Sequence, residues 1–193
     1  MTDTISLAGP ADRERVLGSL VAAFAADPVL RHLFPDDDTY PRYAAAFFGR
    51  LFDKRVATRT VWTIGPGLSV AMWDTPANGA VDPDPPGGDP LDDLPADARA
   101  RVDAYDDTVH SALPDHPFWY LGVLGTHPDH KGKRWGRALI ADGLRRAADD
   151  GLPAVLETSN PGNVGVYRRA GFEVVGELTA GPLQVWVMER PPA

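Results

Sequence analysis

The sequence contains no cysteine. Disulfides, thiolate metal sites and a cysteine nucleophile are therefore excluded. It also lacks any apolar run approaching the roughly 18 residues of a membrane-spanning helix. Its opening, "MTDTISLAGPADRERV", has no basic flank followed by an apolar stretch, so no signal peptide is expected and the expected location is the cytoplasm. Basic charge is scarce: 19 Lys and Arg stand against 27 Asp and Glu, for a net charge of −8. That balance argues against broad nucleic-acid binding. Three motifs are missing as well. No G-x-x-x-x-G-K-[ST] phosphate loop, G-x-G-x-x-G dinucleotide fingerprint or G-x-S-x-G nucleophile elbow occurs.

What is present is a globular composition, 44 % hydrophobic over 193 residues, suited to one domain spanning 1–193 with a sizeable core. Thr4 to Leu7 reads as a strand. Val16, Leu17, Leu20, Val21 and Phe24 recur at helical spacing behind Asp12. A short helix in "ADPVLRHLFPDDD" and an aromatic helix from Tyr43 to Phe52 follow. "TVWTIG" and "LSVAMWDTP" form a hairpin around Gly65-Pro66-Gly67. The Pro/Gly/Asp-rich stretch at about 76–96 has little to bury and reads as a mobile loop. A helix over Asp97–Leu113, the apolar strand "PFWYLGVLGTHP", a helix over Trp135–Ala148 and the strand "PAVLETS" come next. "NVGVYRRAGF" is a short helix stopped at Gly171, and two strands close the chain around Gly181-Pro182. No internal repeat stands out. The class is mixed α/β.

The segment "HPDHKGKRWGRALI" concentrates Lys131, Lys133, Arg134 and Arg137 where a helix begins, in an otherwise acidic chain. A helix N-terminus offers free amides and partial positive charge to an anion. Gly132 and Gly136 would allow close backbone approach. The same pattern also describes a solvated basic loop with a helix cap, and physics alone leaves both readings open.

The strand "WYLGVLGTHP", the loop "DHKGKRWG" and "ETSNPGNVGVYRRAGF" together resemble the acetyl-CoA site of GNAT-superfamily N-acetyltransferases. Within that superfamily "AAFAADPVLRH", "AMWDTP", "LETS" and "VWVMER" fall in the order of the puromycin N-acetyltransferase group. The resemblance is strong from Phe118 to Phe172, weaker toward both ends and absent in the Pro/Gly loop. It implies a GNAT-type acyl-CoA N-acyltransferase fold: a central, mostly antiparallel sheet splayed between the fourth and fifth strands and flanked by helices. It implies acetyl-CoA as co-substrate, with backbone near Leu124, Gly125 and Thr126 holding the pantetheine arm. The loop Lys131, Gly132, Lys133, Arg134, Trp135, Gly136 and Arg137 would hold the pyrophosphate. At the first patterned glycine this chain has Arg134, expected to sit with right-handed angles in the first helical turn and to touch a phosphate.

The same resemblance places Tyr167 near the CoA sulfur as general acid, and Asn160 or Asn163 against the cofactor. Each asparagine could equally cap the following helix. Glu157, at the end of a strand bordering the reacting centre, is a candidate base if burial raises its pKa. The alternative is a strand-end glutamate bonded to backbone. Phe24, His32, Trp73, Phe118 and Trp119 are candidate acceptor-pocket aromatics, and Asp27, Asp36, Asp37 and Asp38 are candidate attractants for a cationic amine. His127 and His130 sit in a Pro-containing turn without a ligand cluster, so no metal is expected. The implied reaction is acetyl transfer to a primary amine of a small molecule, with antibiotics and aminonucleosides among the acceptors. The alternatives are acylation of a peptide or protein N-terminus and a non-catalytic acyl-CoA-binding module. No nucleic-acid or membrane partner is expected, and a monomer and a homodimer both remain open.

Overall fold

The computed structural model describes residues 4–77 and 88–192. Six helices and seven strands occur among them, in the order β1 Ser6–Leu7, α1 Arg13–Ala23, α2 Pro28–Leu33, α3 Tyr40–Ala57, β2 Val61–Ile64, β3 Ser69–Asp74, α4 Ala96–His110, β4 Trp119–Thr126, α5 Trp135–Asp149, β5 Ala154–Thr158, α6 Pro161–Arg169, β6 Glu173–Ala180 and β7 Leu183–Arg190. The strands form one sheet in the order β1-β2-β3-β4-β5-β7-β6. Every pairing is antiparallel except β4 with β5. None of the described helices is long and apolar enough to cross a membrane.

Alternation along the strands builds two cores, one on each face of the sheet. Val61, Val70 and Met72 point to the face covered by α1, α2, α3 and α4. Trp62, Ala71 and Trp73 point to the face covered by α5 and α6. Along β4 this alternation breaks. Leu121 joins the α5/α6 core, yet Val123, two residues on, joins the opposite one. The register explains it. Met72 faces Val123 and Trp73 faces Leu121, which leaves Gly122 unpaired as a bulge. One extra residue in a strand reverses the facing of everything after it. A Cβ at Gly122 would lie 2.7 Å from Arg55 Nη2, so a larger residue there would displace the tip of that side chain.

Two expectations need correction. Helix α3 runs from Tyr40 to Ala57, beyond the Tyr43–Phe52 stretch with the clearest apolar pattern. Pro41 is tolerated because it lies in the first turn, where no intrahelical amide bond is lost. The extension carries Lys54 and Arg55 into the fold. The Pro/Gly/Asp-rich segment, expected to bury little, ends in core: Leu91 and Leu94 are buried with the α1–α4 cluster. Asp89 orders this end by accepting the Leu91 amide (3.0 Å) and pairing with Arg50 (3.5 Å). The 78–87 part of the expected mobile loop lies outside the described residues.

Candidate active site

Strand β4 pairs with β5 only at Trp119–Ala154 and Tyr120–Val155. Beyond Tyr120 the two strands part, while β5 stays paired with β7 through Glu157 and Thr158. The β5-facing edge of β4 past Tyr120 thus has no strand partner. A cavity of about 530 Å³ opens here, lined by β4 from Tyr120 to Leu124 and by the β5 end from Glu157 to Ser159. Helices α2, α3, α4 and α6 contribute Asp27, Arg55, Tyr105 and Tyr167.

Glu157 is the central acid of this cavity. The Tyr120 hydroxyl donates a hydrogen bond to its carboxylate. Burial raises its pKa to about 6, the Tyr120 hydrogen bond partly offsetting that rise and the Asp106 charge adding to it. Tyr167 is buried at 8 % exposure, its ring edge-on to Phe172 at 6.0 Å. Tyr167 lines the cavity from α6, and burial, then the charges of Glu157 and Asp27, push its pKa well above the ordinary phenol range. Tyr105, from α4, is raised in the same sense by burial and by Glu157. A carboxylate that titrates near 6 beside phenols that stay protonated is a pairing suited to taking a proton at one point and giving one at another.

The basic loop lies at the far end of β4. Gly136 is in the first turn of α5, and a Cβ there would stand 3.7 Å from Thr126 Oγ1 and 3.9 Å from Leu124 Cδ2. The strand end and the helix start therefore adjoin. Lys131, Lys133, Arg134 and Arg137 are all exposed. Helix α5 has no side-chain cap, and its first intrahelical bond is Ala138 N–H to the Arg134 carbonyl (3.1 Å). An α-helix leaves the amides of its first turn without intrahelical acceptors, and here cationic side chains surround them.

Arg134 does not take the right-handed conformation expected of it. It is the residue before the helix, at φ +61° and ψ 17°. Left-handed angles cost a non-glycine residue about 1–2 kcal/mol, which accounts for a glycine in the motif this loop resembles. Arg134→Gly is expected to be more stable than Arg134→Ala by about 1 kcal/mol in urea unfolding, because alanine keeps the strain and glycine removes it. Equal stabilities for the two variants would mean that the loop relaxes elsewhere.

Other expected residues divide by position. Asn163 lines the cavity, whereas Asn160 caps α6 by accepting the Gly162 amide at 2.9 Å. Gly125 does not line the cavity and lies under α1: a Cβ there would meet Leu20 Cδ2 at 2.7 Å and Phe24 Cε2 at 2.9 Å. Trp135 is core, 4 % exposed, with His130 stacked on it at 5.3 Å and the Lys133 ammonium over its ring at 4.6 Å. Its side chain holds the loop down and offers no surface to a ligand.

Of the expected acceptor-pocket residues, Phe24 and Asp27 line the cavity. Trp73 and Trp119 pack in the α5/α6 core. His32 lies against Gly181, and Phe118 packs edge-on to Tyr120 at 6.4 Å outside the lining. Asp36, Asp37 and Asp38 are solvated on a turn. Sequence reasoning missed Tyr105, Asp106 and Tyr120, and also Arg55, which is 4 % exposed and paired with Asp74. The apolar periodicity of α4 marks Tyr105 as inward-facing but does not say what it faces.

The sheet order, the parallel β4–β5 pair and its splay define the fold of GNAT acetyltransferases. Residues 98–172 match the family model described as Acetyltransferase (GNAT) family. Among solved structures, one titled histone acetyltransferase HPA2 and related acetyltransferase, from Corynebacterium glutamicum, aligns over 100 % of this chain and 98 % of its own, with a TM-score of 0.72 and 25 % identity. Arylalkylamine N-acetyltransferase 2 from Aedes aegypti shares the fold at a TM-score of 0.63 and 11 % identity, covering 98 % of this chain and 99 % of its own. Among curated proteins, the mycothiol acetyltransferase of Saccharomonospora viridis is 37 % identical over 90 residues, 42 % of this chain and 29 % of the relative. That of Propionibacterium freudenreichii subsp. shermanii is 43 % identical over 56 residues, 28 % of this chain and 18 % of the relative. The chain spans less than a third of the length of these curated relatives.

Proposed function

We propose that the protein transfers an acetyl group from acetyl-CoA to a primary amine of a small molecule. The observation that carries this reading is the parting of β4 from β5 beyond Tyr120, which opens the cavity beside Glu157 and Tyr167. The family match and the acetyltransferase relatives support the acyl donor, and the ordered motifs resembling the puromycin-type group support a small amine acceptor, with antibiotics and aminonucleosides as candidates.

Acetyl-CoA supplies an activated acyl carbon on a thiolate leaving group. The chain's own residues do the rest. The α5 N-terminus with Lys131, Lys133, Arg134 and Arg137 holds the pyrophosphate, while Leu124, Asn163 and the unpaired edge of β4 hold the arm that leads into the cavity. Amides on that edge can also bond the carbonyl oxygen as charge gathers there. Glu157 takes the proton from the attacking ammonium, and Tyr167 returns one to the departing sulfur. Both substrates bind together, so the site works largely by positioning them.

The test joins binding to turnover. Acetyl-CoA at a hundredfold excess over its dissociation constant stabilises the fold by about 2.7 kcal/mol through linkage, seen as a rise in Tm and confirmed by calorimetric titration. Thiol release is then followed with aminonucleosides, aminoglycosides, amino acids and short peptides. Binding with turnover of small amines supports the reading. Turnover confined to peptides would move the acceptor to a polypeptide N-terminus, and binding without any turnover would make the chain an acyl-CoA sensor.

A further inference from the structure

One row of side chains crosses three strands to reach Glu157. Asp74 on β3 and Tyr120 on β4 are opposite each other in the register. Trp73, Trp119 and Leu121 lie in the α5/α6 core, so alternation turns Asp74 and Tyr120 together to the opposite face. The Tyr120 hydroxyl continues the row to Glu157 on β5.

Arg55, in the last turn of α3, completes the row at its other end. Its Nη2 donates to Asp74, and its Nη1 donates to the Leu51 carbonyl at 3.2 Å. The side chain springs from a pinned base. The Arg55 carbonyl accepts the Thr60 amide at 2.9 Å and the hydroxyls of Thr58 and Thr60 at 3.2 and 3.3 Å. Its tip lies where Gly122 has no side chain. A Cβ there would stand 2.7 Å from Arg55 Nη2 and 3.4 Å from Tyr120 Cε1, so the guanidinium and the phenol ring border the same gap. The Tyr120 hydroxyl feels that cation, which offsets part of the rise that burial and Glu157 give its pKa.

The Arg55–Asp74 pair is a poor source of stability. It takes Arg55 and much of Asp74 out of water, and the buried Arg55 Nε has no hydrogen-bond partner among the described residues. Uncharged residues of similar size would pack there without that penalty. What a two-armed guanidinium adds is geometry, because it is fixed at once to α3, to β3 and against the β4 bulge.

We propose that Arg55 is a positioning residue: anchored on Asp74 and Leu51, it holds the Tyr120 ring beside the Gly122 bulge and so keeps the Tyr120 hydroxyl on Glu157. Only the role of Glu157 as base rests on the acetyl-transfer reading.

The test reads Glu157 directly, without turnover. The whole chain is labelled with carbon-13 at its glutamate carboxyls, and the Glu157 signal is identified by its loss in Glu157→Gln. Its titration midpoint is followed by NMR in the parent, in Arg55→Met combined with Asp74→Asn, in Tyr120→Phe, and in all three substitutions together. Removing both charges avoids leaving either one unpaired. Glu157 also interacts with Tyr105, Asp106 and His110 of α4 and with Tyr167 of α6, and all four are left in place. A loosened Tyr120 favours the carboxylate less, so the midpoint should rise by about one unit from its parental value of about 6. In the Tyr120→Phe background the same pair of substitutions should move it little. With acetyl-CoA and an amine that is turned over, kcat/KM near pH 6.5 should fall about threefold and recover above pH 8, because less carboxylate is present at the lower pH. The KM for acetyl-CoA should not change.

An unchanged midpoint in the folded variant overturns the inference. So does an equal shift with Tyr120 already replaced, since Arg55 would then not act through it. If the double variant does not fold, the same comparisons are made with Arg55→Lys, which keeps the charge and loses the fork that reaches Asp74 and Leu51 together. An unchanged midpoint with acetyl transfer intact sinks the positioning role alone. The expected shift in a chain that acetylates no amine sinks the transfer reading alone.

Discussion

Tyr167→Phe should lower kcat about a hundredfold or more while leaving the KM for acetyl-CoA nearly unchanged. A positioned acid contributes on this scale, and an interaction used only during reaction affects kcat and kcat/KM together. The ring packs edge-on to Phe172 and is buried, so phenylalanine retains the core contact. The hydroxyl makes no hydrogen bond to a described residue, so Tm should move little. Burial and the nearby charge of Glu157 hold the phenol far above neutral pKa, which keeps the proton in place until a thiolate leaves. The measurement is single-turnover kinetics, which isolates the chemical step. An unchanged rate there would return Tyr167 to a packing role and pass the acid function to Tyr105, the other phenol of the cavity not bonded to Glu157.

Glu157→Gln is expected to cost a comparable factor at neutral pH and to change the shape of the pH profile. A base must be ionised to work. With its pKa raised to about 6, Glu157 is protonated and idle below that value and competent above it. The kcat/KM of the parent should therefore rise with pH through about 6, and the variant should lose this acidic limb. Tyr120→Phe provides an internal check. Its hydrogen bond stabilises the carboxylate and lowers the Glu157 pKa, so removing it should shift the limb to higher pH.

Stability carries the same signature with a defined sign. Because the folded-state pKa lies above the unfolded value of 4.5, the folded state binds the proton more tightly. The contribution of Glu157 is then most favourable below about 4.5 and is lost as pH rises through 6. Glutamine does not titrate, so the Tm of Glu157→Gln relative to the parent should increase between pH 5 and pH 8. A variant that keeps both the parental rate and the acidic limb would assign the proton transfer to water or another group.

By itself the sequence determined those elements whose signals are local. Period-two alternation in "TVWTIG" and "LSVAMWDTP" and helical spacing after Asp12 sort side chains between core and solvent within a few residues. They reappear as β2, β3 and α1. The cationic loop before α5 was equally legible, because charge and glycine spacing are written along the chain. So was Glu157, whose place near the end of β5 follows from an apolar run that ends in polar residues. The fold class also followed from ordered motifs that resemble a known family.

What the tertiary structure alone decided depends on contacts distant in sequence. The bulge at Gly122 exists only in the register of β4 against β3, and it reverses which core Val123 enters. The sign of φ at Arg134 follows from the path that joins a surface turn to a buried Trp135. Leu91 and Leu94 join the core cluster that residues of α3 and α4 also build, although the stretch before them is rich in proline and glycine. Tyr105, Tyr120 and Tyr167 lie on α4, β4 and α6, and they meet around Glu157 because β4 leaves β5 after two paired residues. Side-chain chemistry is a property of each residue, but its pKa and its partners are set by which residues the sheet brings together and how much water they exclude.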